Sequence, residues 1–284
     1  SIECQHWEQV TSGEASRRFL NQLGSDVDWL AARRKGKQEH NNQALPRIAA
    51  FIANCRGANS AAPVSYYGLS SLVLAQQRRP AFIRFLRDAL AEQSPHYNNW
   101  TLEIISPYFA ESPDFLGHQH FFKDLGVEEI HIFLPVNDQG EALCNREYYE
   151  RLEQTDGVAW ASWSPDVAKS LGLHTPVNRI THAKIYHLYN GKQSWAFIGS
   201  VNFTYRAVSD NQEAGFFTQL PAGTCFLKPL RSEPDKWCPA DKLPGVDDAQ
   251  GAGPELPELL LHYDWKQRQL AVVLGDRHAG HMLV

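Results

Sequence analysis

The 284-residue sequence contains no Cys-x-x-Cys pair. Its five cysteines, Cys4, Cys55, Cys144, Cys225 and Cys238, are scattered and odd in number. Neither a zinc site nor a disulfide framework is expected, and the thiols read as the reduced cysteines of a cytoplasmic protein. No metal or cofactor is called for. No apolar run approaches the roughly 20 residues of a membrane span, and no charged-then-apolar leader opens the chain. Membrane insertion is therefore not expected. An excess of positive charge is also missing: 27 Lys and Arg stand against 32 Asp and Glu, a net charge of -5. A polyanion would have to be met by a local patch, because the whole surface does not attract it. The densest basic run, Arg33, Arg34, Lys35 and Lys37, reads as a solvated face. No internal repeat recurs at a fixed period.

What is present suits a large core: 43% of residues are hydrophobic, and the length fits one large domain or two modest ones. Residues 1–95 read as mostly helical, or as a linker between two halves. The clearest helix is "RPAFIRFLRDALAEQ", where Phe82, Phe85, Leu86 and Leu90 share one face behind Pro80. From Trp100 the texture changes. "TLEIISPYF" reads as a buried strand stopped at Pro107, "DFLGHQHFFKDLG" as a short helix ended by Gly126, and "EIHIFLPV" as another buried strand. "EALCNREYYERLEQT" reads as helical, and "GVAWASW" and "NQEAGFFTQL" as strands. Strands alternating with helices predict an α/β domain over 96–220 with a mixed, largely parallel sheet between helices. Residues 221–284 form a loop-rich, β-rich C-terminal extension, with a hairpin around Lys-Gln-Arg in "LLLHYDWKQRQLAVVL".

The chemistry lies in "THAKIYHLYNGKQSWAFIGSVNFTYRA", residues 181–207. Asn190-Gly191 between two apolar runs predicts a hairpin in which both turn residues take positive φ. Strand side chains alternate faces, so His182 and Lys184 point one way, as do Ser200 and Asn202. If the strands pair, an imidazole, an ammonium, a hydroxyl and a carboxamide converge. That set suits a phosphodiester: cations and amides hold the non-bridging oxygens, and a His attacks phosphorus or protonates a leaving oxygen. Glu213, at the start of the next strand, is the carboxylate a reacting His needs at its other ring nitrogen.

His118 and His120 do not share a helix face, so a surface role is expected. His187 points away from Lys184 and reads as structural. The eight Trp residues read most simply as core and surface packing; a base-stacking role is open to Trp100 or Trp163, and nothing in the sequence selects them.

His182-x-Lys184, Gly199-Ser200-x-Asn202 and Asn211-x-Glu213 together resemble one catalytic motif of the phospholipase D superfamily. "EIISPYF", with Ser106-Pro107, resembles the opening strand of a half-domain in that family. The resemblance covers about residues 97–220. It implies a metal-independent phosphodiesterase acting through a phosphohistidine. His182 would be nucleophile or general acid, Lys184 and Asn202 phosphate holders, Ser200 and Ser106 substrate contacts, and Glu213 the orienter of a His. Nucleic acid is the expected substrate, for a nuclease or DNA-end-processing enzyme. A phospholipid hydrolase or transferase, and a degenerate half-domain that binds without cleaving, are the alternatives.

The sequence departs from the family pattern in three places, one of them a somewhat longer spacer from Lys184 to Gly199. Tyr189 stands where the family usually has an Asp, which the tyrosyl-DNA phosphodiesterase branch also lacks. Family sites use two His-Lys motifs, and this chain has no second His-x-Lys. The second half of the site is expected from a homodimer mate or an upstream segment. "IECQHW", with Glu3, resembles the segment that follows a first motif, and the start at Ser1 fits a fragment.

Overall fold

α1 (Arg17–Arg33) and α2 (Glu39–Cys55) open the fold and pack with β1 (Val64–Tyr67) around Phe19, Leu20, Val27, Ile52 and Tyr66. The Tyr66 hydroxyl donates to buried Asp26 at 2.8 Å. The computed structural model describes residues 17–33, 39–55, 64–68, 81–96, 98–109, 122–171, 181–209, 211, 213–243, 259–264 and 269–274. Glu3, Arg34 to Lys37, His118 and His120 lie outside the described residues, as does most of the helix expected over 114–126.

The chain divides into two compact units, Ser1–Leu243 and Pro244–Val284. In the first, α3 (Ala81–Gln93) buries the four residues of its apolar stripe, Phe82, Phe85, Leu86 and Leu90. Phe82 meets Tyr186 and Phe197 edge-on, each at 4.7 Å between ring centres. Those two residues sit on β5 (Ile185–Tyr189) and β6 (Ser194–Gly199). The remaining strands are β2 (Trp100–Ile105), β3 (Val127–Phe133), β4 (Val158–Trp163), β7 (Gly215–Gln219) and β8 (Leu227–Pro229). Among the described residues the unit also holds three short helices: α4 (Arg146–Glu153), α5 (Pro165–Ser170) and α6 (Tyr205–Ser209).

The eight strands form one mixed sheet in the order β1-β7-β6-β5-β2-β3-β4-β8. The α/β class with a mixed sheet is as read from the sequence. The parallel part is smaller than expected: among the described strands only β2–β3 and β3–β4 are parallel. The reason is connection length. Only a long crossover can return a strand parallel, whereas β5 and β6 are joined by residues 190–193 alone and must run antiparallel. β1 and β8, on either side of the domain read from the sequence, extend the sheet at its two edges.

Two local expectations change. α4 begins at Arg146 instead of near Glu141, because the Asn145 side chain caps it, accepting from the backbone N–H of Glu147 at 2.9 Å and Tyr148 at 3.3 Å. The Asn190-Gly191 hairpin exists, but neither residue has positive φ. The Asn190 side-chain oxygen shapes the turn instead, accepting from the N–H groups of Lys192 and Gln193 at 3.2 and 3.0 Å.

In the second unit, β9 (Leu259–Asp264) and β10 (Gln269–Leu274) pair antiparallel, the hairpin expected there. Among the described residues no helix is long and apolar enough to cross a membrane.

Candidate functional site

The strand registers bring one end of β2, β5, β6 and β7 to the same edge. Ile105 at the end of β2 pairs with Ile185 at the start of β5, Ile185 with Ile198 near the end of β6, and Gly199 with Gly215 at the start of β7. The motif residues lie just beyond these pairs, where side chains leave the sheet. His182 and Lys184 precede β5, Ser200 and Asn202 follow β6, and Glu213 precedes β7.

Lys184 is brought to His182. Its ammonium stands 3.3 Å from Nδ1 and 3.4 Å from Nε2 of the imidazole, and donates to the His182 carbonyl oxygen at 2.8 Å. The His182 ring is exposed. Tyr108 presents its ring edge-on to it, 6.2 Å between centres.

Ser200 is brought to Glu213. Its hydroxyl donates to Glu213 Oε2, and accepts from the Ala214 N–H at 2.9 Å. Asn211 donates to Glu213 Oε1 at 3.4 Å. The carboxylate expected to orient an imidazole is thus taken up by Ser200 and Asn211. Glu213 is 8% exposed. Burial raises its pKa above the ordinary 4.5, opposed by the Ser200 and Asn211 hydrogen bonds and by the Lys184 charge. That last effect joins the two pairs electrostatically. Tyr67 and Tyr186 lie within the field of the same carboxylate: burial first, then Glu213, pushes both phenols up.

The approach of β6 to β7 at this point depends on two glycines. A Cβ on Gly199 would overlap the Ala214 carbonyl oxygen and lie 2.7 Å from the Gly215 Cα. The Gly of Gly-Ser-x-Asn therefore lets Ser200 reach Glu213, because no larger residue fits between these backbones.

Asn202 is half-buried and makes no hydrogen bond to His182 or Lys184; its Oδ1 is buried without a partner among the described residues. Ser106 departs from its expected role as a substrate contact. It is 0% exposed. Its hydroxyl donates to the Tyr108 carbonyl at 2.8 Å and accepts from the Phe203 N–H at 3.0 Å. A hydroxyl so enclosed cannot meet a ligand. It ties the end of β2 to the loop that carries Asn202.

A polar cluster that sequence reasoning missed lies within the sheet. His187, read as structural, is fully buried with Nδ1 2.7 Å from Glu103 Oε2 and Nε2 2.7 Å from Ser194 Oγ. Glu103 also accepts from the N–H groups of Phe226 and Leu227 at 2.9 and 2.8 Å. It fastens β5 and the run into β8 onto β2. Strand pairing, which the sequence does not display, sets Glu103 opposite His187.

Residues 99–227 match a family model described as "Cardiolipin synthase, PLD-like domain". Solved structures that match the chain include a mutant of yeast tyrosyl-DNA phosphodiesterase. It is 12% identical, with a TM-score of 0.43, over 73% of this chain and 55% of that one. NucT from Helicobacter pylori is 16% identical, with a TM-score of 0.32, over 54% of this chain and 83% of that one. Nuc from Salmonella typhimurium, a phospholipase D family member, is 19% identical, with a TM-score of 0.27, over 47% of this chain and 76% of that one. The chain spans about half the length of the yeast enzyme, 55%. No curated protein matches it.

Proposed function

We propose, from the match of residues 99–227 to a PLD-like domain and the geometry of the motif, that the chain is a phospholipase D-type, metal-independent phosphodiesterase of nucleic acid, a nuclease or end-processing enzyme. The observation that carries the reading is the Lys184 ammonium standing beside both ring nitrogens of an exposed His182. A phosphoryl group placed against that imidazole meets a fixed positive charge, the requirement for stabilising its developing negative charge. Ser200 and Glu213 back this pair, and the Ser106-braced loop presents Asn202 to the same edge.

The chemistry runs in two steps. One imidazole attacks phosphorus, a P–N bond forms, and the leaving oxygen departs with a proton from a second imidazole. That second imidazole then takes a proton from water, and the resulting hydroxide breaks the P–N bond. His182 supplies one of the two. The other comes from a second copy of this site or from another segment of the protein, since this chain carries a single His-x-Lys.

Turnover of a single-stranded oligonucleotide in EDTA tests the reading. Cleavage that survives EDTA and is lost in His182→Ala is expected. Hydrolysis of phosphatidylglycerol vesicles with the oligonucleotide left intact would replace nucleic acid by lipid. Binding of the oligonucleotide with no diester cleaved at any protein concentration would make the chain a binding module.

A further inference from the structure

The sheet edge that carries His182 and Lys184 continues past β2 to a cavity of about 650 Å³ at the carboxyl ends of β3 and β4. Its volume is that of a ligand pocket, and the carboxyl ends of parallel strands are where open α/β sheets bind ligands. Phe133, Gln139, Ser162 and Trp163 line it. Ile104 of β2 pairs with Ile132 of β3, and Ile132 with Trp160 of β4. The cavity thus lies two to three strands along from Lys184, about 10–15 Å at the usual inter-strand spacing.

We propose that this cavity is a nucleobase subsite in which Trp163 stacks on a base of the single strand whose phosphate lies at Lys184. The inference rests on the function proposed above and names the feature of the substrate that this part of the edge recognises. Three observations carry it. The two aromatic candidates in the sequence part company: Trp100 is 0% exposed, whereas Trp163 is half-buried and lines the cavity. Trp163 is already braced on one side by Phe133, with ring centres 4.7 Å apart and planes 43° apart, so little ordering remains to be done on binding. The charge of the lining also selects a base over a backbone. Glu233, Asp235 and Lys236 sum to a net negative charge, and Glu233 is held by Arg146 at 3.1 Å. A phosphate finds no surplus cation there. A flat neutral ring finds an aromatic face, the Gln139 amide, and carboxylates that accept from an exocyclic amino group. A base in a duplex keeps its faces stacked on its neighbours, so the occupant is a single strand.

The test is fluorescence anisotropy of the whole chain with a labelled single-stranded oligonucleotide and with an abasic strand of equal length, which keeps the phosphates and removes the bases. The base-bearing strand is expected to bind tighter by roughly 5- to 100-fold, the range of one stacked base. Trp163→Ala should erase that preference and Trp163→Phe should keep most of it. Should Trp163→Ala not fold, Ser162→Leu, which fills the cavity from an exposed lining position, should erase the preference in its place. Lys184→Ala should weaken both strands alike. Equal binding of the two strands, a preference that survives Trp163→Ala or Ser162→Leu, or no binding of either strand would overturn the subsite. A preference lost in Trp163→Ala, combined with no effect of Lys184→Ala on either strand, would keep the base site and sink the phosphate reading instead.

Discussion

The ammonium of Lys184 lies 3.3 Å from Nδ1 of His182 and 2.8 Å from the carbonyl oxygen of the same residue. One side chain thus fixes a charge beside the reacting ring and anchors itself on the backbone that carries that ring. Lys184→Met keeps the length and removes the charge. It should lower kcat by about 10²–10³-fold, the usual cost of one transition-state donor, with little change in Tm. Unaltered kcat would remove Lys184 from the site.

Glu213 is held above its ordinary 4.5 by burial. A carboxyl whose folded pKa is raised stabilises the fold fully below its unfolded value, and that contribution is lost as pH rises through the folded value. Glu213→Gln does not titrate there. The Tm of the variant minus that of the wild type should therefore climb as pH rises above 4.5. A flat or falling difference would show that burial does not dominate this carboxyl.

Ser106 braces the Asn202 loop from beneath. Ser106→Ala removes the buried hydrogen bond that Ser106 accepts from the Phe203 N–H, a loss of about 1–3 kcal/mol. Denaturant unfolding should show this loss, and kcat should fall with it as the loop loosens. An unchanged midpoint would mean the brace contributes nothing.

Glu103 serves the fold and not the chemistry. Glu103→Ala strands a buried imidazole and two backbone N–H groups, and should cost about 3–5 kcal/mol, the range for breaking a buried pair. Below the lowered Tm, turnover per folded molecule should stay near that of the wild type. Turnover lost in a folded variant would bring this buried cluster into the mechanism.

The motif was legible because its parts are local. His182-x-Lys184, Gly199-Ser200-x-Asn202 and Asn211-x-Glu213 each show their residue types within a few positions, and the apolar runs between them show the strands. The stripe of α3 was legible for the same reason, since Phe82, Phe85, Leu86 and Leu90 repeat at helical spacing. What depends on register was not. Nothing near Glu103 announces a partner 84 residues away, and nothing in "SPYF" shows that Ser106 turns inward to Phe203. The sheet is less parallel than the alternation of strands and helices before β5 implies, because β5, β6 and β7 pair as antiparallel neighbours. The four-residue turn after β5 was placed correctly and given the wrong geometry, because the Asn190 side chain does the work expected of positive φ.

The central claim is that His182 does chemistry on a phosphodiester. It is tested most directly by hydrolysis of bis(p-nitrophenyl) phosphate in EDTA, comparing wild type with His182→Ala over a range of protein concentrations. Wild-type turnover should rise per chain with concentration if a second copy completes the site, and the variant should lose at least about 10²-fold. Equal turnover by the two proteins, or wild-type activity abolished by EDTA and restored by magnesium, would contradict it.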